Sequence, residues 1–184
     1  MWWLEPPRLT RVLAALALAG FTAGCFQPMY GDSNVVATAG LDSRLAGVRV
    51  QEIITPNGTP LARVGVNVRN ELIYDLTGGG NQTAPTHKLV VQLASTNQQL
   101  IVDVNTARPE IQNLGIDATY SLVDIATGRT VITGQTFSRV SYDVPGQQQR
   151  FAGVRGRRDA ENRAAKVIAD NIKSRLASYF VAGT

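Results

Sequence analysis

The sequence predicts an α+β protein: a two-layer sandwich in which a four-stranded, mostly antiparallel sheet carries two helices on one face, in the order β-α-β-β-β-α. Two segments with apolar residues at spacings of three and four predict the helices. Alternation of apolar and polar residues over three further segments, joined by short connections, predicts antiparallel strands with one covered and one wet face. At 184 residues, 44% hydrophobic and 17% charged, the chain suits a single domain with a real core.

The first strand, Val48 to Ile54, places Val48, Val50 and Ile54 on one face and Arg49 and Gln51 on the other. Pro56-Asn57-Gly58 makes a turn. Thr59 before Pro60 is a helix start, because a threonine can cap orphan N–H groups and proline suits the first helical position. Leu61, Val64, Val68, Leu72 and Leu76 then form one stripe, which Thr77 and Gly78-Gly79-Gly80 terminate. Thr86 to Ala94 alternates with Leu89, Val91 and Leu93 inward, and continues past a kink through Leu100 to Val104. Ile116, Ala118, Tyr120 and Leu122 mark the next strand, Ala126-Thr127-Gly128-Arg129 a hairpin connection, and Thr130 to Tyr142 the last strand. Asp143 to Gly156 reads as a polar loop. From about Arg158 to Val181 runs a long helix with Ala164, Ile168, Ile172 and Leu176 on its stripe, continued by Tyr179 or Phe180. Asp159 and Glu161 near its start and Lys173 and Arg175 near its end complement the helix dipole, and Asp159 is spaced to pair with Arg163.

The N-terminus reads as an address. Arg8 and Arg11 precede an uncharged run of 12 residues, Val12 to Ala23, too short to span a bilayer core of about 30 Å as a helix. Small residues follow, then Cys25, the only cysteine. A lone cysteine there resembles a bacterial lipobox, although Thr22 stands where that pattern has leucine; an ordinary secretory signal and an uncleaved anchor are the alternative readings. The expected division is a signal peptide over 1–24, a lipidated and extended tether over 25–47 whose Tyr30 can dock on the domain, and one α+β domain over 48–182. Lipid carries membrane affinity through buried methylenes, about 0.8 kcal/mol each. By analogy with enterobacterial lipoproteins, Phe26 in place of the aspartate that retains a lipoprotein in the inner membrane points to the outer membrane.

Chemistry is scarce. One cysteine excludes a disulfide framework or a cysteine metal cluster, and one histidine excludes a multi-histidine zinc site. A hydrolytic triad needs a histidine base, and His87 reads as a solvated strand end beside Lys88. Asp117 and Asp124 are seven residues apart on one strand and so face opposite sides; Asp103 and Glu110 flank a turn. No catalytic residue, metal site or cofactor is expected. Charge is concentrated at the C-terminus: between Arg150 and Arg175 eight basic residues face three acidic ones. The densest cluster, Arg155-Gly156-Arg157-Arg158 with Arg150 upstream, reads either as a solvated loop and helix start or as a contact to phosphates, which suit the planar donor fork of arginine. Nucleic acid is excluded as the anion by the export signal, and lipid phosphates are the better match.

The residues Cys25-Phe26-Gln27-Pro28-Met29-Tyr30-Gly31 resemble the mature start of alphaproteobacterial LptE lipoproteins, typically Cys-Gly-Phe-x-Pro-Leu-Tyr-Gly, with no glycine after the cysteine and Met29 for leucine. Arg69-Asn70-Glu71-Leu72, Ala118 to Asp124 with Thr127-Gly128, Ser141-Tyr142-Asp143, Asp159 to Ala165 and Arg175 to Phe180 extend the resemblance along the chain. It implies a four-stranded sheet with two helices, anchored through Cys25 on the periplasmic side of the outer membrane. It also implies partnership with the β-barrel translocon LptD, which such proteins plug and help assemble, and with lipopolysaccharide in transit to the cell surface. No catalytic residue is implied. Assignment of Arg150, Arg155, Arg157 and Arg158 to lipopolysaccharide or another anionic partner comes from charge alone. The alternative expectation is an auxiliary lipoprotein of an ABC-type phospholipid-transport system, which calls for an apolar groove.

Overall fold

The computed structural model describes residues 40–80, 84–103, 108–144 and 150–183. The expected signal peptide, Cys25 and the expected tether up to residue 39 lie outside the described residues. The elements are α1 (Leu41–Ala46), β1 (Val48–Val50), α2 (Pro60–Thr77), β2 (His87–Asp103), β3 (Arg108–Asp124), β4 (Thr130–Asp143) and α3 (Arg150–Ala182). The sheet order is β1-β2-β3-β4. β1 runs parallel to β2 and the other neighbours are antiparallel, so the sheet is mixed, with α2 as the crossover that a parallel pair requires. This is the α+β sandwich that the sequence predicts, with one more helix.

That extra helix, α1, replaces the end of the expected tether. Leu45 anchors it at 1% exposure, and Arg44 Nη1 donates to the carbonyl of Phe180 at 2.8 Å. Six residues are too few to display a period. β1 is also shorter than expected. After Val50 only the Gln51 N–H continues the ladder, donating to Leu89 O at 2.9 Å. Beyond it the strand phase is lost, so Ile53 is buried and Ile54, expected inside, is 91% exposed.

α2 matches its sequence signals at both ends. Thr59 Oγ1 accepts from Ala62 N–H at 3.3 Å, and Gly78 closes the helix at φ 63°, a conformation glycine takes without penalty. Val64, Val68, Leu72 and Leu76 are buried on its inner stripe. β2 and β3 form a long hairpin that pairs from His87↔Asp124 out to Asp103↔Arg108, with a register irregularity around Gln99 and Ile101 where a kink was expected. At the β3–β4 connection, Asp124 Oδ1 accepts from Ala126 N–H at 2.7 Å and Thr127 N–H at 3.3 Å, and Gly128 takes φ 67°.

α3 begins at Arg150 instead of near Arg158, so the second half of the expected loop is helical. Gly153 and Gly156 are poor helix formers and suggested a loop. Packing reverses that preference, because Gly156 lies against the end of β4, where a Cβ would come 3.4 Å from Asp143 O. Beyond Ala160 the helix is seated by small residues: Ala160, Ala164, Ala165, Ala169 and Ala177 are all fully buried, interleaved with Ile168, Ile172 and Leu176. Opposite them lie Leu89, Val91, Leu114, Ile116, Leu122 and Val140 from the sheet. Tyr120 reaches across the register to Gly134, where a Cβ would fall 2.5 Å from its hydroxyl.

The registers give the domain two ends. At one, here the upper end, lie the paired residues Asp103 and Arg108 of β2 and β3, the end of β4 and the starts of α2 and α3. At the lower end lie α1, the start of β2, the β3–β4 turn and the last turn of α3, where His87 meets Phe180.

Candidate functional site

The four arginines singled out from the sequence do not form one patch. Arg150 opens α3, and its side chain lies outside the described residues. Arg157 turns inward. Its Nε donates to Glu161 Oε1 at 3.2 Å, one helical turn on, while Arg63 from α2 forks onto the same carboxylate, with Nη2 at 3.0 Å and Nε at 3.2 Å from Oε2. Glu161 is 2% exposed, so this is a buried carboxylate held by two guanidiniums from two helices. The inter-helix bond is that of Arg63, and Arg157 supports it from within α3 by sharing the same carboxylate.

Arg155 and Arg158 remain exposed, with no hydrogen-bond or ion-pair partner among the described residues. They share one side of α3 with Phe151 and Val154, since positions i, i+3, i+4 and i+7 align. Phe151 is 87% and Val154 53% exposed. The same side is sealed further along the helix, at Ala165. The cause is a difference in length. Glu161 meets Arg63 near the start of α2, so the roughly 16 Å of α3 before it runs past the start of its neighbour. The other side of this overhang sits on the sheet, where Asp159 pairs with Arg163 at 2.7 Å as spaced, and Arg163 Nη2 reaches Ser141 O at 3.4 Å. The result is an open stripe of two apolar and two cationic side chains at the upper end. Sequence alone does not announce Phe151 and Val154, because Pro145, Gly146, Gly153 and Gly156 around them mask the helical period.

The lower end holds a cavity of about 510 Å³ whose walls include Arg44, Thr86, His87, Tyr179 and Phe180. His87 is half-buried there, not solvated as its position at a strand start suggested. Its ring stands edge-on to Phe180, with centroids 5.2 Å apart, and its Nδ1 lies 2.9 Å from Thr86 Oγ1. Burial holds its pKa below the ordinary 6.5, with Asp124 pulling weakly the other way. Among the described residues no group of three or more His, Cys, Asp or Glu is placed to hold a metal ion, and no helix is long and apolar enough to cross a membrane.

The position of His87 makes a measurable prediction. NMR titration of its imidazole gives a midpoint below 6.5, and Phe180→Ala, which admits water, moves it back toward 6.5. The folded state binds fewer protons here than the unfolded chain. This contribution to stability is therefore complete above pH 6.5 and declines as pH falls from there toward the folded value. A His87→Gln variant should lose that part of the pH dependence in melting curves recorded between pH 5 and 8.

The model of the LptE family, described as lipopolysaccharide-assembly, matches residues 45–176, more than two-thirds of the chain. No curated protein sequence matches. Among solved structures, a chain of Caulobacter crescentus CB15 assigned to the lipoproteins superposes with a TM-score of 0.59 at 24% identity, covering 78% of this chain and 97% of its own. Rare lipoprotein B of Shewanella oneidensis gives 0.50 at 14% identity, over 73% and 95% of the two chains. These structural likenesses concern the fold. The family match spans α1's last residues, the whole sheet and α3 as far as Leu176, and by it the chain belongs to the LptE lipopolysaccharide-assembly family.

Proposed function

We propose that this chain is a lipoprotein of the outer membrane, tethered on its periplasmic side through acylated Cys25. In this reading it plugs an LptD-like β-barrel, assists that barrel's assembly and takes part in passing lipopolysaccharide to the cell surface. It works by shape and charge, with no catalytic step and no cofactor. The observation that carries the reading is the open stripe on a domain of this family. Arg155 and Arg158 have free donor forks suited to phosphates, and Phe151 and Val154 give the adjoining acyl chains an apolar landing. Arg150, at the start of the same helix, adds charge. Arg157, paired with Glu161 on its own helix, contributes by holding the carboxylate that Arg63 of α2 grips. Exposed cations of this kind act within a Debye length of about 8 Å at physiological ionic strength, so the contact weakens as salt rises.

The test is site-specific photocrosslinking in living cells from positions 151, 139 and 129, which sample the stripe, the uncovered face of the sheet and the lower turn. Position 151 is expected to capture glycolipid, and position 139 a barrel protein. Arg155→Gln with Arg158→Gln should weaken lipopolysaccharide binding about tenfold or more, equivalent to about 1.4 kcal/mol, and reduce its salt dependence. If detergent-solubilised envelopes yield no barrel protein with the chain, the plug role is wrong. If the double variant binds lipopolysaccharide as well as the parent does, the stripe is not its contact.

A further inference from the structure

A second site lies away from the α3 stripe, between the β1–α2 connection and α2. There a cavity of about 340 Å³ is bounded by Ile53 and Ile54 on one side and Gly65, Val66 and Arg69 on the other, with Glu52 at its rim. Three features distinguish it. The Nε of Arg69 is sealed from solvent and has no hydrogen-bond partner, which is unfavourable and uncommon for a buried guanidinium N–H. Ile54 is 91% and Val66 58% exposed, so two large aliphatic side chains in the wall of the same cavity stand in water. Glu52, the one acidic side chain in the wall, makes no ion pair with Arg69. The volume is at the small end of ligand pockets.

We propose that this cavity binds a small monoanion carried on an aliphatic body, a carboxylate or a phosphate ester, with Arg69 as its anchor. On binding, the guanidinium turns from its sealed position so that Nε–H and one Nη–H become two parallel donors to the anionic head, which gives the unsatisfied donor a partner. Ile54 and Val66 close over the aliphatic part, which removes their apolar surface from water. Glu52 at the rim disfavours a second negative charge and so selects against dianions. The site is independent of the reading given to the α3 stripe.

The probes are hexanoate and methyl hexyl phosphate, both monoanions at neutral pH that stay in water. The full chain is held in phosphatidylcholine nanodiscs, and NMR follows the Arg69 Nε–H and the Ile54 methyl. Both probes are expected to shift these signals saturably. Acetate, inorganic phosphate and hexanol, each lacking tail or charge, should bind at least tenfold more weakly. Whichever of hexanoate and methyl hexyl phosphate binds tighter identifies the head group as fatty-acid-like or lipid-phosphate-like. Arg69→Gln should weaken hexanoate at least tenfold and Arg69→Lys less, while Arg155→Gln with Arg158→Gln leaves it unchanged. Equal binding of hexanol and hexanoate would overturn the proposal, as would equal binding of acetate, or an Arg69→Gln protein that binds like the parent. Should Arg69→Gln not fold, the comparison of hexanoate with hexanol at the wild-type Nε–H decides alone.

Discussion

Replacing Arg63 and Arg157 together with alanine is expected to destabilise the domain by about 3–5 kcal/mol, while either change alone costs about 1–2 kcal/mol. The asymmetry follows from which partner is buried. Both arginines keep a third or more of their side-chain surface in water, at 51% and 36%, whereas Glu161 has 2%. Removing one arginine leaves the carboxylate one charge-assisted partner. Removing both strands an uncompensated charge between two packed helices, and its desolvation is then unopposed. Against a typical domain stability of about 5–15 kcal/mol this is a large share. Urea unfolding of the parent, the two single variants and the double variant measures the coupling. Adding Glu161→Met to the double variant should recover most of the loss, because an apolar side chain of similar volume needs no partner. Strictly additive single effects would show that Glu161 rehydrates when its partners leave, and the clamp would then be an incidental contact.

How far the sequence revealed this arrangement depended on whether the signal was local. α2 was legible from end to end, since Thr59-Pro60, a stripe from Val64 to Leu76 and Gly78 all lie within one continuous segment. β3 and β4 were legible because one wet face imposes a period of two. The start of α3 was not legible, as the packing of Gly156 on Asp143 depends on β4 being there. Cluster geometry was hidden for the same reason. Arg155, Arg157 and Arg158 are adjacent in sequence, yet a helix sends Arg157 to a different side from the other two. The Glu161 partner of Arg157 was visible at i+4, but nothing local announces Arg63 arriving from another helix. Ile53 and Ile54 exchanged places because β1 ends three residues before them, and the phase of a strand means nothing past its last ladder bond. The unsatisfied Arg69 sat within a recognisable Arg-Asn-Glu-Leu run, and only burial distinguishes it from a solvated helix residue. Cys25 and its lipid rest on sequence alone.

Two apolar residues on α3 should behave in opposite ways. Ile168→Ala is expected to cost about 4 kcal/mol, because Ile168 is fully buried and the neighbouring Ala164, Ala165 and Ala169 bring backbones too close to collapse into the space. For a domain of this size that lowers the melting temperature by roughly 10 °C. Phe151→Ser removes a larger apolar side chain, yet its 87% exposure means that little burial is lost, and stability should stay within about 0.5 kcal/mol. The functional effects reverse. Ile168→Ala, tested well below its melting temperature, should retain lipopolysaccharide binding, since it leaves the overhanging turns and their arginines in place. Phe151→Ser should weaken that binding severalfold while the fold is untouched. A phenylalanine that nothing among the described residues covers gains little from internal contact, so its effect on binding belongs to a partner. Differential scanning calorimetry beside a lipopolysaccharide-binding assay separates the two cases. Were Phe151→Ser to lower stability by 2 kcal/mol or more, some segment of the chain itself would be packing on the stripe, and the stripe could not be the open surface on which the transport reading depends.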